Sequence, residues 1–151
     1  CDWSSDVCSS DLTLVATGPG GSREIAASDF FTGFLESALA SDEVLTTVHL
    51  PVSTGGWAYQ KFNRRAQDWA IVGAAVVVDG GTCGVGLVNM DARPVRAAAV
   101  EAAVASGASA EDAAALAADG LEPTADLNAS VDYRCHLARV LTRRGLEESG
   151  R

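Results

Sequence analysis

Tyr59-Gln60-Lys61-Phe62-Asn63-Arg64-Arg65-Ala66-Gln67-Asp68-Trp69-Ala70-Ile71-Val72 reads as strand, charged loop, strand. An alternation through Trp57, Tyr59 and Lys61 leads into the loop, and a period of two places alternate side chains on opposite faces of a strand. The aliphatic run Ala70 to Val78 follows, as in a central strand. Between them the loop Asn63 to Trp69 concentrates groups that can bind something flat and anionic. Arg64 and Arg65 supply planar donors suited to carboxylates or phosphates, and Trp69 offers a flat apolar face. A plainer reading is open at this point: a loop clamped by a pair between Asp68 and one arginine, with Trp69 covering the sheet edge.

Strands continue on both sides. Asp79-Gly80 signals a tight turn, after which Thr82 to Asn89 returns. Upstream, Val44 to Leu50 is rich in β-branched residues and stops at Pro51, and Ser53 to Gly56 forms a turn before Trp57. Leu12 to Thr17 and Ser22 to Ile25 flank the turn Gly18-Pro19-Gly20-Gly21. Such short connections imply antiparallel neighbours. Periodicity predicts a helix over Ser28 to Ala40, capped at Ser28 or Asp29, with Phe30, Phe31, Phe34 and Leu35 inward.

Past Pro94 the pattern turns helical. Val95 to Ala105 is alanine-rich. Ser109-Ala110-Glu111-Asp112 resembles a capping box and opens a short helix that stops at Gly120. Glu122 to Ala129 is a loop. Ser130 caps a last helix in which Tyr133, Leu137, Val140 and Leu141 share a face. Strands first and three helices after predict an α+β fold, an antiparallel sheet of three to four strands packed against a three-helix layer.

The 151 residues suffice for one domain or one domain with a piece of another, and 48% are apolar, as in a globular chain. Eleven basic against twenty acidic residues leave a net charge of −9. That excess argues against nucleic acid and anionic membrane surfaces as partners. Apolar runs fall short of the roughly 20 residues that span a bilayer. The composition is that of an acidic, soluble, cytoplasmic protein. Cys1, Cys8, Cys83, Cys135, His49 and His136 show no metal-ligand spacing, and Cys83 and Cys135 read as buried small hydrophobes. Residues 1–12 lack periodicity and are similar to a translated sequencing-adapter run-in, which would make the chain a C-terminal piece of a longer protein.

Gly80-Gly81-Thr82-Cys83-Gly84-Val85-Gly86 fails as a dinucleotide fingerprint, because a strand follows it where a helix N-terminus is required. Cys135 and His136 are adjacent on a helix, so their side chains diverge by about 100° and cannot act as a nucleophile and base. No catalytic residue is assigned.

Tyr59, Lys61, Arg64, Arg65, Asp68 and Ala70 match the pattern aromatic-x-K-x-x-R-R-x-x-D-x-A. Upstream stand Asp29-Phe30-Phe31-Thr32-Gly33, then Asp42-Glu43-Val44-Leu45 and Pro51. Downstream stands Tyr133-Arg134-Cys135-His136-Leu137. In this order and spacing, over about residues 14 to 148, the chain resembles the C-terminal domain of the FAD-binding subunit of the xanthine dehydrogenase and carbon monoxide dehydrogenase family of molybdenum hydroxylases.

The resemblance implies a role. Such subunits hold FAD, mainly on an N-terminal domain, and pass electrons from iron–sulfur clusters on one partner subunit to an external acceptor. Another partner carries the molybdenum cofactor and oxidises the substrate. Residues 13–50 then correspond to the tail of the FAD-binding domain with a connecting strand, and residues 51–151 to the C-terminal domain. Cofactor-side roles carry over to Leu45, Gln60, Lys61, Asp68 and Trp69. Leu45 matches a leucine near the flavin ring, Gln60 stands where some members have a lysine, and Trp69 replaces an aliphatic residue. The competing class is a non-catalytic assembly domain that docks partner subunits through its alanine-rich helices.

Overall fold

The computed structural model describes residues 12–150 and divides them between two units, 12–52 and 53–150. Residues 1–11, with Cys1 and Cys8, lie outside the described residues.

In the smaller unit, β1 (Thr13–Gly18) pairs antiparallel with β2 (Gly21–Ala26) and with β5 (Val44–His49), giving the order β2-β1-β5. Leu12, Leu14, Ala16, Ile25 and Phe30 form its core. Across the sheet Arg23 clamps Glu43: Nε and Nη2 donate to the two carboxylate oxygens at 2.7 and 2.8 Å, and Nη2 also donates to the Ala38 carbonyl. Arg23 and then the Ala40 N–H hold the Glu43 carboxyl down to about 2.

The helix expected over Ser28 to Ala40 does not form. Only one turn, α1 (Ala27–Phe30), is helical, and a small hairpin of β3 (Phe31–Gly33) and β4 (Glu36–Ser37) replaces the rest. Phe34 and Leu35 are 73% and 79% exposed, with Leu35 at a φ of 56°. Nucleating a helix costs several fixed residues before its bonds accumulate, Gly33 adds to that cost, and the two outward side chains contribute no burial in return.

The larger unit is the expected antiparallel sheet with helices on one face. β6 (Gly56–Phe62), β7 (Val72–Asp79), β8 (Thr82–Val88) and β9 (Val95–Arg96) run in sequential order. Gly80 and Gly81 join β7 to β8 with φ values of 56° and 92°, the two left-handed positions of a type I′ hairpin. Val72, Ala74 and Val76, alternate residues of β7, are buried in the main core. The covering layer is α2 (Ala98–Ala105), α3 (Ala110–Ala114) and α4 (Val131–Glu148). α2 packs on β8, α4 packs on β6 and β7, and α3 lies against both helices. Val100 and Val104, one turn apart, anchor α2 in the core, and burying each contributes roughly 1.5–3 kcal/mol. At Gly145 on α4 a Cβ would stand 2.7 Å from Val76 Cγ2, so glycine is what lets the helix approach.

Both serine caps form: Ser109 accepts from the Asp112 N–H and Ser130 from the Tyr133 N–H. The first alanine-rich helix starts later than expected. Val95 and Arg96 pair with Leu87 and Gly86, and Glu101 accepts from the Val85 N–H and from Arg96. The sheet thus gains an edge strand before the chain coils. The inward face of α4 is also turned from the expected one. Tyr133 is 41% exposed and meets the Phe62 ring edge-on, and Val140 is half-buried. Arg134, Leu137, Ala138, Leu141, Thr142, Gly145 and Leu146 are buried instead. Cys83 and Cys135 are half-buried against the core.

Candidate functional site

The loop after β6 ends where the Ile71 N–H donates to the Phe62 carbonyl at 2.7 Å, which closes its base. Inside it the Asp68 N–H bonds to the Arg65 carbonyl at 3.0 Å, and the Asn63 side-chain amide donates to that same carbonyl. The clamp considered from sequence is absent: among the described residues no ion pair joins Asp68 to Arg64 or Arg65. Arg64 instead donates to Asn128 Oδ1 at 2.9 Å, in the loop before α4. Trp69 does not cover an edge either, being 85% exposed.

Arg64, Asp68, Trp69, Asn89, Asp126, Asn128 and Arg134 line an open cleft of about 360 Å³, with Ala70 and Ile71 at its wall. Arg134 is 2% exposed. Its Nη1 donates to the Ile71 carbonyl and, at 3.4 Å, to that of Asn89, while Nη2 stands 2.8 Å from Asp126 Oδ2. Asn89 closes β8 at a φ of 62°, which asparagine tolerates better than most residues. Its side chain donates to the Ala70 and Ile71 carbonyls. Asp126 accepts from the backbone N–H groups of Asn128 and Ala129 at 2.8 and 2.9 Å. Those bonds, with Arg134 beside them, hold its carboxyl down to about 2.

The structure brings Asp68 and Trp69 together in this cleft. Gln60 and Lys61 lie on β6, outside its lining. Gln60 is in register with Ala74, faces α4 and donates to Glu148. Lys61, its neighbour in the alternation, points to the opposite face of the sheet. Leu45 sits half-buried on β5, in register with Ala16, against the core of the other unit. Arg134, Asp126, Asn128 and Asn89 are not among the site residues expected from the sequence, Arg134 standing there only in the motif that carries the resemblance. The arginine of the Tyr133-Arg134 pair was visible, but an arginine on a helix face gives no sign of being buried. Among the described residues no group of three or more His, Cys, Asp or Glu is placed to hold a metal ion, and no helix is long and apolar enough to cross a membrane.

Residues 57–149 match the model of the CO dehydrogenase flavoprotein C-terminal domain, and this span holds β6 from its second residue, β7 to β9, all of α2 to α4 and the loop with its cleft. The chain belongs to that family. It is 35% identical over 144 residues to the carbon monoxide dehydrogenase medium chain of Afipia carboxidovorans, covering 88% of this chain and 50% of that one. It is 32% identical over 143 residues to the nicotine 6-hydroxylase medium subunit of Paenarthrobacter nicotinovorans, covering 86% and 49%. Its fold is similar to that of carbon monoxide dehydrogenase from Hydrogenophaga pseudoflava, with a TM-score of 0.87 at 33% identity, covering 98% of this chain and 55% of the other. The chain spans about half the length of the curated relatives it matches.

Proposed function

We propose that this chain is the C-terminal part of an FAD-binding medium subunit in a cytoplasmic molybdenum hydroxylase. The subunit relays electrons from iron–sulfur clusters on one partner subunit to an external acceptor, while a partner carrying the molybdenum cofactor oxidises the substrate. In this reading residues 1–12 are non-native, 13–50 are the end of the FAD-binding domain with a connecting strand, and 51–151 are the domain that leans over the flavin. The observation that carries it is the cleft at the loop, where Arg64, Asp68 and Trp69 meet within the span matched to a flavoprotein domain.

The residues suit the ring end of FAD better than its pyrophosphate. Trp69 is a flat apolar surface, Lys61 and Arg64 are cations, and Leu45 is a half-buried aliphatic group on a strand. A pyrophosphate calls for backbone N–H groups at a helix start, yet the glycine turns at Gly18–Gly21 and Gly80–Gly81 both lead into strands. FAD, when bound, supplies the electron-carrying chemistry, and the protein supplies position and field. Asp68 and Trp69 of the larger unit flank it, and the resemblance gives flavin-side roles to Lys61 and, separately, to Leu45 of the smaller unit. Gln60 acts at one remove, tying β6 to α4 through Glu148. Arg64 and Arg65 favour negative charge nearby, and Asp68 opposes it.

In the assembled enzyme Trp69→Ala is expected to slow flavin reoxidation by the external acceptor about tenfold, a small change in barrier, with less effect on reduction through the iron–sulfur clusters. Stopped-flow absorbance separates the two half-reactions. Unchanged reoxidation in both Trp69→Ala and Asp68→Asn would reduce the loop to a structural connection. An assembled complex whose medium subunit holds no flavin would favour the assembly-domain reading instead.

A further inference from the structure

We infer that Arg134 is a positioning residue for the loop 63–71, holding its exit through the Ile71 carbonyl and its entry through Asp126, Asn128 and Arg64. The inference rests on the reading of that loop as the flavin-side element, but its test reads loop order and not flavin chemistry.

Three observations carry it. The guanidinium spans separate parts of the larger unit: Ile71 at the start of β7, Asn89 after β8, and Asp126 in the segment before α4. The chain of contacts then runs on without a gap, from Asp126 through the Asn128 backbone and side chain to Arg64 Nη1. Residues more than sixty positions apart in sequence are thereby fixed to one another. Lastly, Arg134 is poorly used if stability is its only purpose. Its Nε–H is buried with no acceptor among the described residues, and an unpaired buried donor is costly. An apolar side chain would fill the same space without that cost, as replacements of buried ion pairs show. What an apolar residue cannot do is grip two carbonyls and a carboxylate in a fixed fork.

The link is specific in its atoms. Lysine at 134 would keep the charge but could not hold the Ile71 carbonyl and Asp126 in the same planar geometry. Asn128→Ala would remove that side chain's bonds to Arg64 and to Asp126 and leave the contacts of Arg134 itself in place. The two variants therefore separate a role in loop placement from a role in holding α4.

Amide hydrogen exchange on the full chain tests this, comparing residues 63–71 with residues 135–145 of α4. Local opening is what such exchange reports. In Arg134→Lys, exchange over 63–71 is expected to rise about tenfold, and in Asn128→Ala about threefold, with 135–145 unchanged in both. If Arg134→Lys fails to fold, Asn128→Ala decides alone. Equal acceleration of both segments would make Arg134 a support of the helix only, and unaltered exchange over 63–71 would overturn the proposal outright. These outcomes stand whatever Trp69→Ala does to flavin reoxidation, so the two ideas can fail separately.

Discussion

Two connections in the same sheet join neighbouring antiparallel strands, and they are built on opposite principles. β7 returns to β8 through Gly80 and Gly81 alone, both with left-handed backbone. β6 reaches β7 through residues 63 to 71, although the strands are paired out to Phe62 and Val72. Their pairing gives no reason for that length. The short turn is braced close by, with the Thr82 hydroxyl donating to the Asp79 carbonyl and Ser53 to the Asp79 carboxylate, whereas the long loop is held by side chains from the helical layer and from the end of β8. Loops that carry function commonly owe their shape to a rigid scaffold elsewhere, and the charge and aromatic surface of this sheet end follow the long connection.

The largest expected effect attacks the scaffold. Leu137 is buried one helical turn from Arg134, and Leu137→Ala should destabilise the larger unit by about 2–5 kcal/mol. Denaturant unfolding measures this, and a change within about 0.5 kcal/mol would mean that the face of α4 is misassigned. The contrast between the connections sharpens next. Gly81→Val places a β-branched residue at a φ of 92° and should cost about 1–2 kcal/mol. Gln67→Ala in the exposed loop should stay within about 0.5 kcal/mol. Equal losses in the two variants would erase the distinction.

The smallest effect is electrostatic. Asp126 and Glu43 have carboxyls depressed to about 2, from ordinary values of 3.8 and 4.5. A depressed folded value means that the stability they contribute is fully present above the unfolded value and is lost as pH falls through the folded one. Melting temperature should therefore decline between about pH 4.5 and 2. Asp126→Asn and Glu43→Gln should each flatten part of that decline, Asp126→Asn through the larger unit and Glu43→Gln through the smaller.

The same contrast explains what the sequence disclosed. Strands with alternating or continuous apolar patterns, the glycine hairpin and the serine caps at 109 and 130 rest on contacts a few residues apart, and they were legible. The helix expected over Ser28 to Ala40 failed because apolar residues at helical spacing say nothing about whether a surface exists to bury them, and Phe34 finds none. On α4 the apolar rule selected Tyr133, and the buried position is its neighbour Arg134, a choice fixed by carbonyls more than forty residues away. The loop's composition drew attention to the stretch that lines the cleft, while the residues that hold it came from Asn89, Asp126 and Asn128, whose partners local pattern cannot reveal.

Gly145 has a mechanical consequence. There α4 lies directly on β7, against the stiff branched side chain of Val76. Arg134 lies eleven residues earlier on the same rod, about 16 Å at 1.5 Å per residue. The glycine is thus a fulcrum, and the buried guanidinium rides on the far arm of the beam. A methyl group added at 145 would raise the bearing point and tilt the rod, and the displacement would be felt at the Ile71 carbonyl. The placement of the loop is in this sense coupled, through the length of α4, to the clearance between the Gly145 backbone and the Val76 side chain.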